Sequence, residues 1–101
     1  MDGEALISPE VLAHYAADAA REVEGVRRVI TGHLRRQPSV RVLVGEDGVR
    51  LQVPVVLEYG TPILPVAREV QRHVRRYLKV MADVYPAAVE VVIAQIESGQ
   101  G

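Results

Sequence analysis

The chain contains no cysteine, no tryptophan and no phenylalanine. The first absence excludes disulfides, zinc–thiolate centres and cysteine nucleophiles. The other two leave four tyrosines as the whole aromatic complement, a thin supply for the stacking platforms of single-strand nucleic-acid binders. Lysine occurs once, at Lys79, so positive charge rests almost entirely on arginine. No apolar run approaches the roughly 18–20 residues that cross a bilayer. The opening stretch, MDGEALISPE, is acidic and lacks the charged-then-apolar order of a secretory signal. These features point to a cytoplasmic protein whose membrane association, if it has one, is borrowed from a partner.

What is present fits one domain. A chain of 101 residues, 49% of them hydrophobic, is globular in composition and has room for one core. That core is expected over residues 5–96, with residues 97–101 as a frayed tail. The net charge of −1 argues against a general polyanion binder, but it hides a segregation. Residues 1–24 hold Asp2, Glu4, Glu10, Asp18, Glu22 and Glu24 against Arg21 alone, whereas residues 25–45 hold Arg27, Arg28, Arg35, Arg36 and Arg41 before any acid appears.

Along the chain, residues 4–7 (EALI) read as a short first strand. Ser8, Pro9 and Glu10 then supply an N-cap oxygen, a residue suited to the first helical position and a charge that complements the helix dipole. Leu12, Tyr15, Ala16, Ala19, Ala20 and Val23 recur at helical spacing, and Gly25 closes a helix running to about Glu24. VRRVI is an edge strand. VRVLV and VRLQVPVVLEY form a hairpin around GEDG, with Asp47-Gly48 at the turn. Alternation puts Val40, Val42, Val44, Val49, Leu51, Val53, Val55, Leu57 and Tyr59 inward, and Arg41, Leu43, Arg50, Gln52, Pro54, Val56 and Glu58 outward. Pro54 lacks an N–H, which argues for an edge or a bulge at that point.

A second helix spans about residues 63–83, with Val66, Val70, Val74, Tyr77, Met81 and Val84 as its apolar seam. Opposite that seam Arg68, Arg72, Arg75, Arg76 and Lys79 form a basic stripe. AVEVVIAQI is the last strand. The whole is an α/β two-layer sandwich of β-α-β-β-β-α-β order, with both helices on one face of a mixed sheet. The other face, carrying Glu90, Val92, Ala94 and Ile96, is apolar enough at the last strand to suggest self-association or a partner.

Two stretches carry a resemblance to a known family. ISPEVLAHYAADAAREVEGVRRV (residues 7–29) and VRLQVPVVLEYGTPILPVAREVQRHVRRYLKVM (residues 49–81) resemble the bacterial alkaline-shock, or envelope-stress-response, proteins in the order and spacing of their motifs. The likeness runs from Ala5 to about Ile96. It departs from the family pattern at the short TGHLRRQPS connection, at Leu64-Pro65, after Met81 and at Glu90. The resemblance implies a small non-enzymatic protein of cell-envelope homeostasis, in some relatives tethered through a membrane-anchored partner and in others linked to fatty-acid metabolism. It carries over no catalytic residue.

Four features are candidate sites. Glu58 and Tyr59 fall on opposite sheet faces and cannot converge on one substrate, so Glu58 is expected to pair with Arg41, Arg50 or the second helix start, with Tyr59 in the core. His14, His33 and His73 have no ligand spacing, and neither a metal nor a cofactor is expected. GEDG lacks the pattern of a phosphate loop. The basic stripe is the remaining candidate. With Val92, Ala94 and Ile96 it is read as a binding surface for an acidic protein partner, a membrane-anchored one included, or for a second copy. Nucleic acid, engaged by the same stripe extended through Arg27, Arg28, Arg35 and Arg36, is the alternative.

Overall fold

The computed structural model describes residues 6–32 and 39–98. Over these the order is α1 (Pro9–Arg21), β1 (Val26–Val29), β2 (Arg41–Gly45), β3 (Gly48–Glu58), α2 (Ile63–Ala82) and β4 (Ala88–Glu97). The expected first strand is not found where it can be judged: Leu6 and Ile7 lie in no strand, and its other residues fall outside the described ones.

Helix α1 begins as its sequence dictates. The Ser8 hydroxyl oxygen accepts the Val11 N–H at 3.2 Å, and Pro9 occupies the first turn. The helix stops at Arg21, a turn earlier than expected, and the chain passes through Val23 to Gly25 at φ +98°. Ala16, Ala19 and Ala20 are completely buried; their small side chains let the helix backbone approach the sheet closely. A Cβ on Gly25 would stand 2.7 Å from Thr61 Cγ2 and 3.0 Å from a Val66 methyl. The glycine therefore serves both the turn and the passage of the α2 entrance beside it.

Strand β3 is the spine of the sheet. β2 pairs antiparallel with its first half, up to Arg41↔Gln52, and β1 pairs antiparallel with its second half, at Val55–Leu57, on the same edge. β4 runs parallel along the opposite edge. The sheet is mixed, with α2 as the crossover between the parallel pair. Pro54 thus sits in a central strand, not at an edge or a bulge. It lies where β2 has ended and β1 has only begun, so its missing N–H interrupts no ladder, while its carbonyl accepts the Ile30 N–H at 3.0 Å.

The core lies between this sheet and the two helices. Leu51, Val53, Val55, Leu57 and Val89 from the strands meet Leu12, the α1 alanines, Val23, Val70, Val74 and Leu78. The α2 seam differs from the expected one: Leu78 is fully buried, while Met81 is 48% exposed. A row at steps of four, Val70–Val74–Leu78, runs down the centre of the contact. Tyr15 and Tyr77 meet between the helices as a tilted pair, with ring centroids 5.9 Å apart and 54° between the ring planes.

α2 ends at Asp83, which adopts the left-handed conformation (φ 55°, ψ 37°), with its own N–H on Lys79 O and the Val84 N–H on Leu78 O. Glycine is the usual occupant of that position because it has no Cβ to clash, and a carboxylate opposes the dipole at a helix C-terminus. Asp83→Gly should therefore raise stability by roughly 0.5–1 kcal/mol, measured as a shift in urea midpoint at unchanged slope.

A second irregularity governs which side chains face which way. Val55 pairs with Ile93 but Val56 pairs with Gln95, so Ala94 is an extra residue, a β-bulge. Beyond it the alternation is reset. Ile96 shares the helix side with Leu57, and Gln95 and Glu97 turn to the open face. The expectation that Ile96 faces outward with Val92 is corrected by this bulge.

Candidate functional site

The basic stripe forms because α2 has one row of small and branched apolar residues and puts its long cations a half-turn away. Its residues gather beside the chain that leaves the helix. Arg72, Arg75, Arg76 and Lys79, with Tyr85 and Pro86, line an open cleft of about 480 Å³. Arg75 Nη1 donates to Pro86 O at 2.8 Å, and Lys79 Nζ lies 5.9 Å from the Tyr85 ring centroid. Among the described residues the carboxylate that pairs with the stripe is Glu69, one turn back, whose Oε2 is 2.6 Å from Arg72 Nη2. Arg68 and Arg76 meet no carboxylate among the described residues. The cleft thus combines cations with an apolar floor, a surface suited to carboxylates or phosphates flanked by apolar groups.

Tyr85 and Pro86 do not stand out in the sequence. Their signal is positional: after the left-handed turn at Asp83 the chain must double back under the last helical turn to begin β4.

The other charged cluster is on the opposite side of the molecule. Arg27 lies 3.1 Å from Glu58 and 3.2 Å from Glu97, and Arg28 lies 2.7 Å from Glu97 and bonds Gln95. A register shift between Val26 and Arg28 lets both arginines reach these acids on the open sheet face. Glu58 is thus ion-paired, as expected of a structural carboxylate, but to Arg27 in place of Arg41 or Arg50. These pairs are partly solvated and each is worth roughly 0.2–1 kcal/mol. Tyr59, expected in the core, is 77% exposed, because the strand ends at Glu58 and Gly60 turns the chain at φ +90°.

This arrangement bears on the nucleic-acid alternative. Arg27 and Arg28 are bound to acids on the open sheet face, whereas the α2 stripe lies beyond the helix layer, so they do not form one surface. Arg35 and Arg36 lie outside the described residues. Of the apolar positions expected to join the stripe, Val92 lies on the open face, Ala94 at the bulge and Ile96 on the helix side. His73 Nε2 contacts Glu22 Oε1 at 2.8 Å, joining the two helices, and His14 is exposed; His33 falls outside the described residues. Among the described residues no group of histidines and acids is arranged to hold a metal, and no helix is long and apolar enough to cross a membrane.

Known proteins resemble the chain at two levels. A family model for the alkaline shock protein family, described as having a cell envelope-related function, matches residues 1–98. An uncharacterized protein of Bacillus subtilis (strain 168), YqhY, is 30% identical over 105 residues, spanning 94% of this chain and 78% of that protein. Among solved structures, one variant of the MamM CTD superposes with a TM-score of 0.58 at 18% identity, over 87% of this chain and 95% of that one. A second variant gives 0.59 at 17%, over 89% and 100%. At that identity the structural likeness concerns the fold alone: two helices on a mixed sheet. The resemblance drawn from residues 7–29 and 49–81 and the two-layer α/β architecture both hold.

Proposed function

Because this chain belongs to the alkaline shock protein family, whose function is related to the cell envelope, we propose that it is a non-catalytic adaptor of envelope-stress physiology that captures an acidic protein partner on the arginine face of α2. The observation that carries this reading is the cleft of Arg72, Arg75, Arg76 and Lys79 beside Tyr85 and Pro86, whose lining among the described residues holds four cations and no carboxylate, Glu69 meeting Arg72 from one turn back. Arginine forks hold partner carboxylates in two-point contacts, and the exposed ring of Tyr85 adds apolar area close by. In this reading the protein works in the cytoplasm as a single domain and reaches the membrane through its partner.

The test is capture by the tagged full chain from separated membrane and soluble fractions treated with nuclease. Wild type is expected to retain one dominant protein after nuclease, and Arg72→Glu with Arg76→Glu to retain at most a tenth as much. The variant's melting temperature should stay near wild type, since both side chains are exposed. Equal capture by the variant removes the stripe from the proposal. Recovery that disappears with nuclease and falls steeply with salt replaces the adaptor with a nucleic-acid binder. Recovery of the chain alone replaces it with self-assembly.

A further inference from the structure

β4 forms the border of the sheet. It pairs with β3 on one side, and among the described residues no strand pairs with its other side. The pairing decides which of its backbone groups look outward. Odd-numbered residues of β3 bond toward β4: Val49 O accepts the Ala87 N–H and the Tyr59 N–H donates to Glu97 O, both at 2.7 Å. Leu51 and Val53 are in register with Val89 and Val91. In a parallel ladder a residue bonds to the two neighbours of its register partner, so Ala88, Glu90 and Val92 turn their backbone groups inward. Val89, Val91 and Ile93 turn theirs to the open edge. One of these is met from above, since Gln71 Nε2 of α2 donates to Val89 O at 3.1 Å.

The same contact shows what overhangs the edge. Gln71 and Arg75 lie on the flank of α2 nearest β4, where Arg75 reaches Pro86 O. Arg68, Arg72 and Lys79 follow on the adjoining rows, so the basic stripe stands above an open strand edge. The edge is polar in its backbone and cationic in its roof.

We propose that this edge and the arginine flank are one binding site, in which an extended acidic segment of the partner adds as a further strand beside Val89–Ile93. This rests on the adaptor reading and specifies how the partner is held. Backbone hydrogen bonds would supply affinity, and alternate side chains would supply recognition. The spacings agree: alternate residues of a strand repeat about every 6.7 Å, and a four-residue helical step such as Arg68 to Arg72 advances about 6 Å. Acids at alternate positions therefore track the helix-side arginines. The residues between them fall on the open sheet face beside Val92, where apolar side chains fit.

The sign of the charge selects the occupant. A two-fold pairing of β4 with a second copy would set two arginine stripes against each other across the seam. The Ala94 bulge also limits the regular part of the edge to residues 88–93. The strand's own acids do not mask the stripe, because Glu90 is held by Gln52 at 2.9 Å and Glu97 by Arg28 at 2.7 Å on the other face.

The experiment titrates the ¹⁵N-labelled full chain with a capped decapeptide of alternating glutamate and valine, following amide exchange by NMR. Saturable binding is expected, with the Val91 and Ile93 amides exchanging at least tenfold more slowly. A glutamine–valine peptide should bind at least tenfold more weakly, as should the glutamate peptide to Arg68→Glu with Arg72→Glu. Binding that leaves Val91 and Ile93 exchange unchanged overturns strand addition while preserving an acid-binding stripe. No binding, or equal binding by the reversed variant, overturns both readings. A dimer detected by light scattering without peptide, with Val91 and Ile93 already protected, assigns the edge to a second copy and overturns the proposal.

Discussion

Gly25→Ala is expected to lower the unfolding free energy by about 3 kcal/mol, enough to move the melting temperature by more than 10 °C in a domain of this size. Two costs combine at this position. A backbone at φ +98° is one that side-chain-bearing residues adopt only under strain, at about 1–2 kcal/mol. The new methyl would also press within 2.7 Å of Thr61 and 3.0 Å of Val66, and overpacking of that kind costs about 1–3 kcal/mol. Neither neighbour can yield easily, because Thr61 and Val66 bracket the entrance to α2 and Val66 packs against the core. Urea denaturation compares the two proteins directly. A loss under 1 kcal/mol would mean that the α2 entrance shifts freely and that the Gly25 turn does not fix it.

Leu57→Ala should cost about as much, roughly 3 kcal/mol, for a different reason. Leu57 is wholly buried on the helix side of the central strand, with Val26 in register on one edge and Ile96 on the other. Truncation there opens a cavity that three strands border, and each is fixed by its own ladder, so the hole cannot collapse. Leu57→Met, which nearly preserves volume, should cost under about 1.5 kcal/mol. If both variants melt alike, the packing at this site is looser than the buried side chain implies.

The contrast between these positions shows what the residue pattern discloses. The Ser8-Pro9 helix start and the alternation that puts Leu51, Val53, Val55 and Leu57 on the helix side are local signals that the chain obeys, but Pro54 and Val56, expected outward, are fully buried as well. Gly25 is legible as a helix terminator, yet its crowding against Thr61 depends on a helix that begins some forty residues later, beyond any local rule. Tyr59 escapes the expected core because alternation applies only while the chain remains a strand, and the strand ends one residue before it. Ile96 departs from its expected face because a single bulged alanine reverses facial parity, and Ala94 looks like any other strand residue. The basic stripe is legible from helical periodicity alone. The cleft is not, because Tyr85 and Pro86 come from the segment after the helix. The open edge of β4 is hidden as well: edge or centre is decided by which strands pair, and Pro54 points the wrong way.

β3 takes both antiparallel partners from the chain before it and its parallel partner from the chain after it. This has a consequence for the order of folding. The β2–β3 hairpin closes over a short loop, whereas β4 can dock only after the α2 crossover has placed it some forty residues along from its partner in β3. Until then the central strand has a bare edge of its own, and Leu51, Val53, Val55 and Leu57 lack a neighbour on that side. Pairing at such separation is slow relative to local contacts. The last strand should therefore be the late step of assembly, and in its absence the newly made chain would be most prone to pair with the wrong molecule.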